Sequence, residues 1–417
     1  MYMALIVLVS GFVLSISTTI LLIPVVRRIA LHRGWVDQPD AQRKLHGGPI
    51  PPIGGVAIAA GFAVGLLYIA LVQDTLPFNY TQPSIAVLIG LGAMVGAGLY
   101  DDIRGLSFKG KLFIQVLVAC FLVAAGYHID VAHLPFVEAS PIGLMWVSIP
   151  LTVLWIVGIT NAVNLLDGLD GLAGGVVLIA FIGLAAAFGV QGDFGLIVFA
   201  VLIAGSLLGF LAHNFNPASI FMGDSGSLFL GCLLAVYSLS GTFDVGSSGL
   251  LLLVPVVALG LPLVDTGMSI IRRLAAGKSI CAADRDHIHH RLLRHWSQRQ
   301  SVLILYGVAI WFGMAAVLMA VLSPAFSLSV LALTVVACGG GLRLLGYLGR
   351  QPELTPQSDI VRTGPTLLSR PRLNESYGDG SADLPDENIS VLLDDECGVA
   401  AKRPYPRKSF RRLSFQN

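Results

Sequence analysis

The sequence predicts an all-α fold, a polytopic transmembrane helical bundle, on three observations. Of the 417 residues, 55% are hydrophobic and 12% are charged, against about 25% charged in a soluble domain. Apolar runs of roughly 18 residues or more recur, the length a helix needs to cross ~30 Å of hydrocarbon, and unpaired backbone amides cost too much there for any form but a helix. Lys and Arg are segregated, with none between Leu112 and Ile271.

The elements follow in order. About eleven spans are predicted, near 3–26, 53–73, 83–100, 111–127, 142–160, 172–190, 194–213, 225–241, 248–271, 302–322 and 326–348. The first lacks a basic leader and a cleavage site, and its basic residues, Arg27 and Arg28, follow it. It reads as a retained helix with the N-terminus outside. On that orientation all 26 Lys and Arg fall on or beside the cytoplasmic face, and the outer loops 74–82 and 128–141 hold only acidic charges. The C-terminus is then cytoplasmic. Residues 1–350 form the transmembrane domain. The segment 351–417 is polar, acidic around 375–396, then basic in "KRPYPRKSFRR", and reads as a disordered tail. A net charge of +1 argues against a nucleic-acid partner. Cys120, Cys232, Cys281, Cys338 and Cys397 show no paired spacing and read as packing residues.

Five polar stretches map to the cytoplasmic face. "LYDDIRGLSFKGK" carries Asp101, Asp102, Lys109 and Lys111. "NAVNLLDGLDGLAGG" carries Asn161, Asn164, Asp167 and Asp170. "NFNPASIFMGDSGS" carries Asp224. "PLVDTGMSIIRR" carries Asp265, and "DRDHIHHRLLRH" carries His287, His289, His290 and Arg291. Singly, each has a plain reading: helix caps, a solvated histidine loop, glycines for close packing. Together they gather carboxylates and amides from distant loops on one face. Carboxylate oxygen suits a hard cation such as Mg²⁺, with Mn²⁺ as a substitute. Glycine-rich turns let backbone N–H groups approach phosphate. Lys111, Arg43, Lys44 and the His/Arg loop suit phosphate oxygens. Asp265, the deepest acid, lies only about two turns from Arg272 and counts among the candidate substrate-binding residues. This shallow placement argues against an ion-coupled transporter, whose ionisable groups sit near the midplane.

The order "DD", "NAVNLLDGLDGLAGG", "FMGDSGS" and "HIHHR" resembles the polyprenyl-phosphate N-acetylhexosamine-1-phosphate transferases, over about residues 35–300. The resemblance implies transfer of a sugar-1-phosphate from a UDP-sugar to a polyprenyl phosphate within the membrane, with release of UMP at the cytoplasmic face of the inner membrane. It also implies a homodimer. "RKLHGGPIPPIGG", "PLVDT" and "HIHH" look like the branch that uses UDP-GlcNAc to start O-antigen, common antigen, teichoic acid or arabinogalactan linkers. The phospho-MurNAc-pentapeptide branch of peptidoglycan synthesis is the alternative, followed by a lipid-linked sugar transporter and a non-catalytic scaffold. Carried over by residue, the resemblance assigns the metal to Asp224, with Asn164 beside it. Asp101 and Asp102 activate or position the lipid phosphate. Asp167 and Asp170 line the nucleotide site. His287, His289, His290 and Arg291 contact phosphates and sugar, and Lys111 lies near the phosphates. Direct displacement by the lipid phosphate is favoured over a covalent aspartyl-phosphate route, because the phosphate monoester, with a second pKa near ~6, is already largely a dianion at neutral pH.

Overall fold

A computed structural model describes residues 2–37, 49–72, 74, 84–129, 141–241, 249–279 and 286–347. The 351–417 tail and Lys44, with Arg43, lie outside the described residues, so the readings made of them have no structural counterpart here. Among the described residues there is no strand, only an isolated bridge between Asp37 and Ile50.

The described residues form thirteen α-helices in chain order: α1 (Tyr2–Arg33), α2 (Gly54–Val72), α3 (Ile85–Arg104), α4 (Phe108–Ala124), α5 (Pro141–Leu166), α6 (Leu172–Val190), α7 (Phe194–Asn214), α8 (Gly223–Ser240), α9 (Leu253–Ala258), α10 (Gly260–Ala275), α11 (Ile288–Leu292), α12 (Gln298–Val321) and α13 (Pro324–Leu344). Every predicted span falls on helix, but eight of these helices, not eleven, are long and apolar enough to cross a membrane. α4 has 17 residues and two lysines, Lys109 and Lys111, in its first turns. α8 opens with the polar run Gly-Asp-Ser-Gly-Ser and is sheathed by other helices, every residue from Ser225 to Ser238 being buried. Protein rather than lipid surrounds it, so it needs no uniformly apolar surface.

The ninth predicted span is corrected in kind. It is not one helix over 248–271 but a 3₁₀ turn at Gly249–Leu252, then α9, then α10. The break falls at Leu259, between Pro255 and Pro262. Pro262 sits in the first turn of α10, where a missing N–H costs nothing.

Packing places α8 at the centre. α3 and α5 lie against it, and α1, α2 and α7 form a second layer. The α3–α8 approach is close enough that a Cβ on Gly98 would lie 2.3 Å from the carbonyl oxygen of Asp224. The chain entering α2 also docks on the chain entering α8. Phe221 N–H donates to Pro51 O at 2.9 Å, and Gly54 and Gly55 donate back to Phe221 O and Met222 O, each at 2.9 Å. Two sequence motifs far apart, "PPIGG" and "FMGD", are thereby one short backbone ladder, and it sets where α8 begins.

Candidate active site

The first turn of α8 has four backbone N–H groups without helical partners, and its N-cap residue, Met222, has no side-chain acceptor to offer. Asp102 from the end of α3 supplies one. Its two oxygens accept the N–H of Asp224 at 2.8 Å and of Ser225 at 3.0 Å. A carboxylate at a helix N-terminus is further stabilised by the helix dipole. Asp102 thereby holds the start of α8, and with it the backbone of Asp224.

Asp101, one residue earlier, is about 100° away around α3 and faces a different environment. It accepts the backbone N–H of Leu106 and pairs with Lys111 Nζ at 2.7 Å. The same ammonium contacts Asp224, whose other oxygen accepts Asn164 Nδ2 at 2.9 Å. Asn164 also donates to Ser227 Oγ at 2.8 Å, which fixes its amide. One ligand oxygen from each of Asp101, Asp102 and Asp224 can be chosen so that all three lie within 4.8 Å of one another. Asp101 and Asp224 thus share one ammonium, with Asp102 beside them, and the side chains of Asp101, Asp224 and Lys111 are between 15% and 24% exposed.

Asp167 lies in the turn after α5. Burial, and then the negative charges of Asp224, Asp102 and Asp170, push its carboxyl up to about 7. The next residue, Gly168, lies against the histidine segment: a Cβ there would come within 2.6 Å of His289 Nε2. This contact joins the acidic centre to α11. The rings of His287 and His289 stack at 5.6 Å, and those of His289 and His290 lie 4.2 Å apart. Burial, and then His290, lower His289 to about 3, so it is neutral at physiological pH.

Three of the predicted site residues already have partners inside the protein. Asp265 is 2% exposed, accepts His287 Nδ1 at 2.9 Å, and accepts the Ile288 N–H at 2.8 Å. It caps α11 as Asp102 caps α8, since His287 at the N-cap supplies no side-chain cap itself. Asp170 accepts Asn216 Nδ2 at 2.9 Å and Ala218 N–H at 3.1 Å, holding the turn that precedes α8. Arg291 is 6% exposed and already engaged. Its guanidinium pairs with Asp286, donates to Leu345 O at 2.8 Å, and lies 3.7 Å from the ring centroid of Tyr347.

Other residues were missed by sequence reasoning. Asn214 accepts the Gly171 N–H at 2.9 Å and donates to Ile220 O at 2.9 Å, a third external cap, here at the start of α6. Asn161 pairs with Gln115 of α4 at 2.6 Å. No local signal marks these partners, because each is distant in sequence.

The residues fit a divalent cation. The donor set is carboxylate oxygen, which suits a hard ion, and a lysine ammonium now lies against both Asp101 and Asp224. Residues 84–242 match the family described as Glycosyl transferase family 4, a stretch that holds the carboxylates of α3 and α8 and of the turn after α5. The chain is 39% identical over 314 residues to a Bacillus subtilis (strain 168) protein named "Probable undecaprenyl-phosphate N-acetylglucosaminyl 1-phosphate transferase", covering 75% of this chain and 85% of that one. It is 37% identical over 313 residues to "Decaprenyl-phosphate N-acetylglucosaminephosphotransferase" of Mycobacterium tuberculosis (strain ATCC 25618 / H37Rv), covering 70% and 76%. It is 30% identical over 332 residues to "Phospho-N-acetylmuramoyl-pentapeptide-transferase" of Bacillus pumilus (strain SAFR-032), covering 76% and 95%. With its membrane-length helices, its converging acids and relatives aligned over most of both chains, this protein belongs to the glycosyl transferase family 4 of membrane phospho-sugar transferases.

Proposed function

We propose that this protein transfers N-acetylglucosamine 1-phosphate from UDP-GlcNAc to a polyprenyl phosphate, releasing UMP, as the first membrane step of a cell-surface polysaccharide. The observation that carries the reading is the convergence of Asp101, Asp102 and Asp224, with Asn164 bonded to Asp224 and Lys111 paired with Asp101 and Asp224, in a chain 39% identical to a protein named for this chemistry. The segregation of Lys and Arg supports a site at the cytoplasmic face of the plasma membrane, where a soluble sugar nucleotide and a lipid headgroup meet. The higher identity to the N-acetylglucosaminyl relatives than to the pentapeptide transferases, 39% against 30%, favours the smaller donor.

Asp224 and Asp101 would hold Mg²⁺, or Mn²⁺, with Asn164 beside it. The ion, when bound, neutralises charge on the diphosphate. Lys111 now pairs with both carboxylates, and for a cation to sit there its ammonium turns to the phosphate oxygens, the anions that then need it. Asp102 works through Asp224 by holding the start of α8. The attacking group is a phosphate oxygen of the lipid, largely a dianion at neutral pH given a second pKa near ~6, so proton abstraction contributes little. The demand on the protein is alignment and charge compensation, as in other phosphoryl transfers.

The test is incubation of membranes holding the full chain with radiolabelled UDP-GlcNAc, Mg²⁺ and polyprenyl phosphate. Labelled lipid and stoichiometric UMP are expected. Absence of labelled lipid under any divalent metal would overturn the reading, and labelling from UDP-MurNAc-pentapeptide instead would move the protein to the pentapeptide branch.

A further inference from the structure

α11 has only five residues, too few to be stable on its own, yet it carries His287, His289 and His290. Something outside it must keep it in place. Asp265 does so at its N-terminus. Further holding groups come from beyond the end of α13, where Tyr347 reaches the residue before the N-cap and the side chain of Arg291. The Tyr347 hydroxyl donates to the backbone oxygen of Asp286 at 2.7 Å. Its ring lies 3.7 Å from the Arg291 guanidinium carbon and 5.0 Å from that of Arg272. Arg291 closes the loop by donating to Asp286 Oδ2 through Nε at 3.0 Å and to Leu345 O at 2.8 Å. Residues on α10, on α11 and after α13 are thereby bound around one aromatic ring. A guanidinium over an aromatic face, shielded from water, is a firmer contact than an exposed pair.

We propose that Tyr347 is a positioning residue for the transfer reaction: with Arg291 and Asp286 it latches the His287–His290 segment in register with the Asp167–Gly168 turn. The inference rests on the proposed transferase activity. Tyr347 and its neighbour Leu345 lie outside the family match at 84–242. Arg291 is then a strut of the latch and not a phosphate ligand, so removing its ring partner weakens catalysis without removing any group that touches substrate.

Full-length Tyr347→Ala, Tyr347→Phe, Arg291→Ala and the Tyr347→Ala/Arg291→Ala double variant are compared with wild type in the labelled-lipid assay. Tyr347→Ala is expected to lower kcat at least about tenfold, the scale of a small misplacement of reacting groups. The half-saturating Mg²⁺ concentration stays unchanged, because the acids of α3 and α8 are untouched. A general loss of fold would not spare that quantity. Tyr347→Phe keeps the ring over Arg291 and is expected to retain at least about a third of wild-type kcat. The double variant is expected to be no worse than the poorer single one.

Tyr347→Ala within twofold of wild type while Arg291→Ala is severely impaired would overturn the proposal, and would return Arg291 to substrate contact. So would multiplicative losses in the double variant. Should Tyr347→Ala fail to fold, Tyr347→Phe combined with Asp286→Asn carries the test: a combined loss smaller than the product of the single losses supports the latch, and a multiplicative one overturns it. A wild-type chain that labels no lipid would defeat the transferase reading itself, an outcome distinct from any of these.

Discussion

The acidic centre and the histidine segment meet at Gly168, yet they are built in opposite ways. The acidic centre stands on long helices brought together by close backbone approach at Gly98, and its charges are under-compensated, three carboxylates to one ammonium. The histidine segment stands on a five-residue helix whose neighbours are almost fully engaged: Asp265 with His287 and Ile288, Arg291 with Asp286, Leu345 and Tyr347. An under-compensated centre gains free energy when a cation binds. The paired supports of the histidine segment instead hold its side chains at a set angle. The difference separates groups that exchange partners during the reaction from groups that must not.

The largest expected effect breaks the first region. Asp224→Asn is predicted to lower transfer about a thousandfold, on the scale of losing a principal electrostatic group, while leaving thermal unfolding in detergent near wild type, since relief of acid crowding offsets the lost lysine pair. Labelled-lipid formation and the unfolding midpoint, measured together, check this.

Gly98→Ala is next. Its Cβ would press on the Asp224 carbonyl at 2.3 Å, pushing α3 from α8. A loss of about 1–3 kcal/mol is expected from overpacking, with activity down by up to about a hundredfold as the carboxylates separate. Chemical denaturation with a parallel assay tests it, and an unperturbed enzyme would show that the two helices can part without cost.

Asp102→Asn sharpens the comparison between adjacent acids. An amide turns one donor toward the N–H groups of α8, so stability is expected to fall by about 1–3 kcal/mol, with the half-saturating Mg²⁺ rising about ten- to a hundredfold through displacement of Asp224. Asp101→Asn leaves that cap intact and is expected to cost less stability. Equal stability losses in the two variants would contradict the separate roles assigned to them.

The smallest effect concerns pH. His289 is held at about 3 against an ordinary 6.5. Between those values the unfolded chain binds a proton that the folded chain does not, so stability falls as pH drops through that window. His289→Phe removes this component and is expected to flatten the decline in unfolding midpoint from pH 6.5 downward, in thermal melts across a buffer series. An unchanged slope would mean that the ring is charged in the folded state.

The apolar spans were legible because their length and composition answer directly to the bilayer, and the glycine-rich "NAVNLLDGLDGLAGG" was legible as a place where a helix opens. The break at Leu259 was hidden inside an uninterrupted apolar run, where hydropathy looks the same on either side. The acid positions were legible as a group but not in their individual roles. Asp265 and Asp170 look like site acids in sequence and prove to be caps and tethers, because a carboxylate has the same chemistry whether it meets a backbone N–H or a ligand.

Sequence alone determined that this protein is helical and membrane-spanning, and that its polar chemistry gathers at the ends of its helices, for both follow from burial costs that composition records. Tertiary structure alone decided which carboxylate is spent inside the protein and which is left for a partner. Met222 and His287 begin helices without side-chain caps of their own; the caps come from Asp102, 122 positions before Asp224, and from Asp265, 23 positions before Ile288, and only because α3 meets α8 and α10 meets α11. Hydrogen-bond partners are chosen by proximity in space, which packing sets and chain order does not.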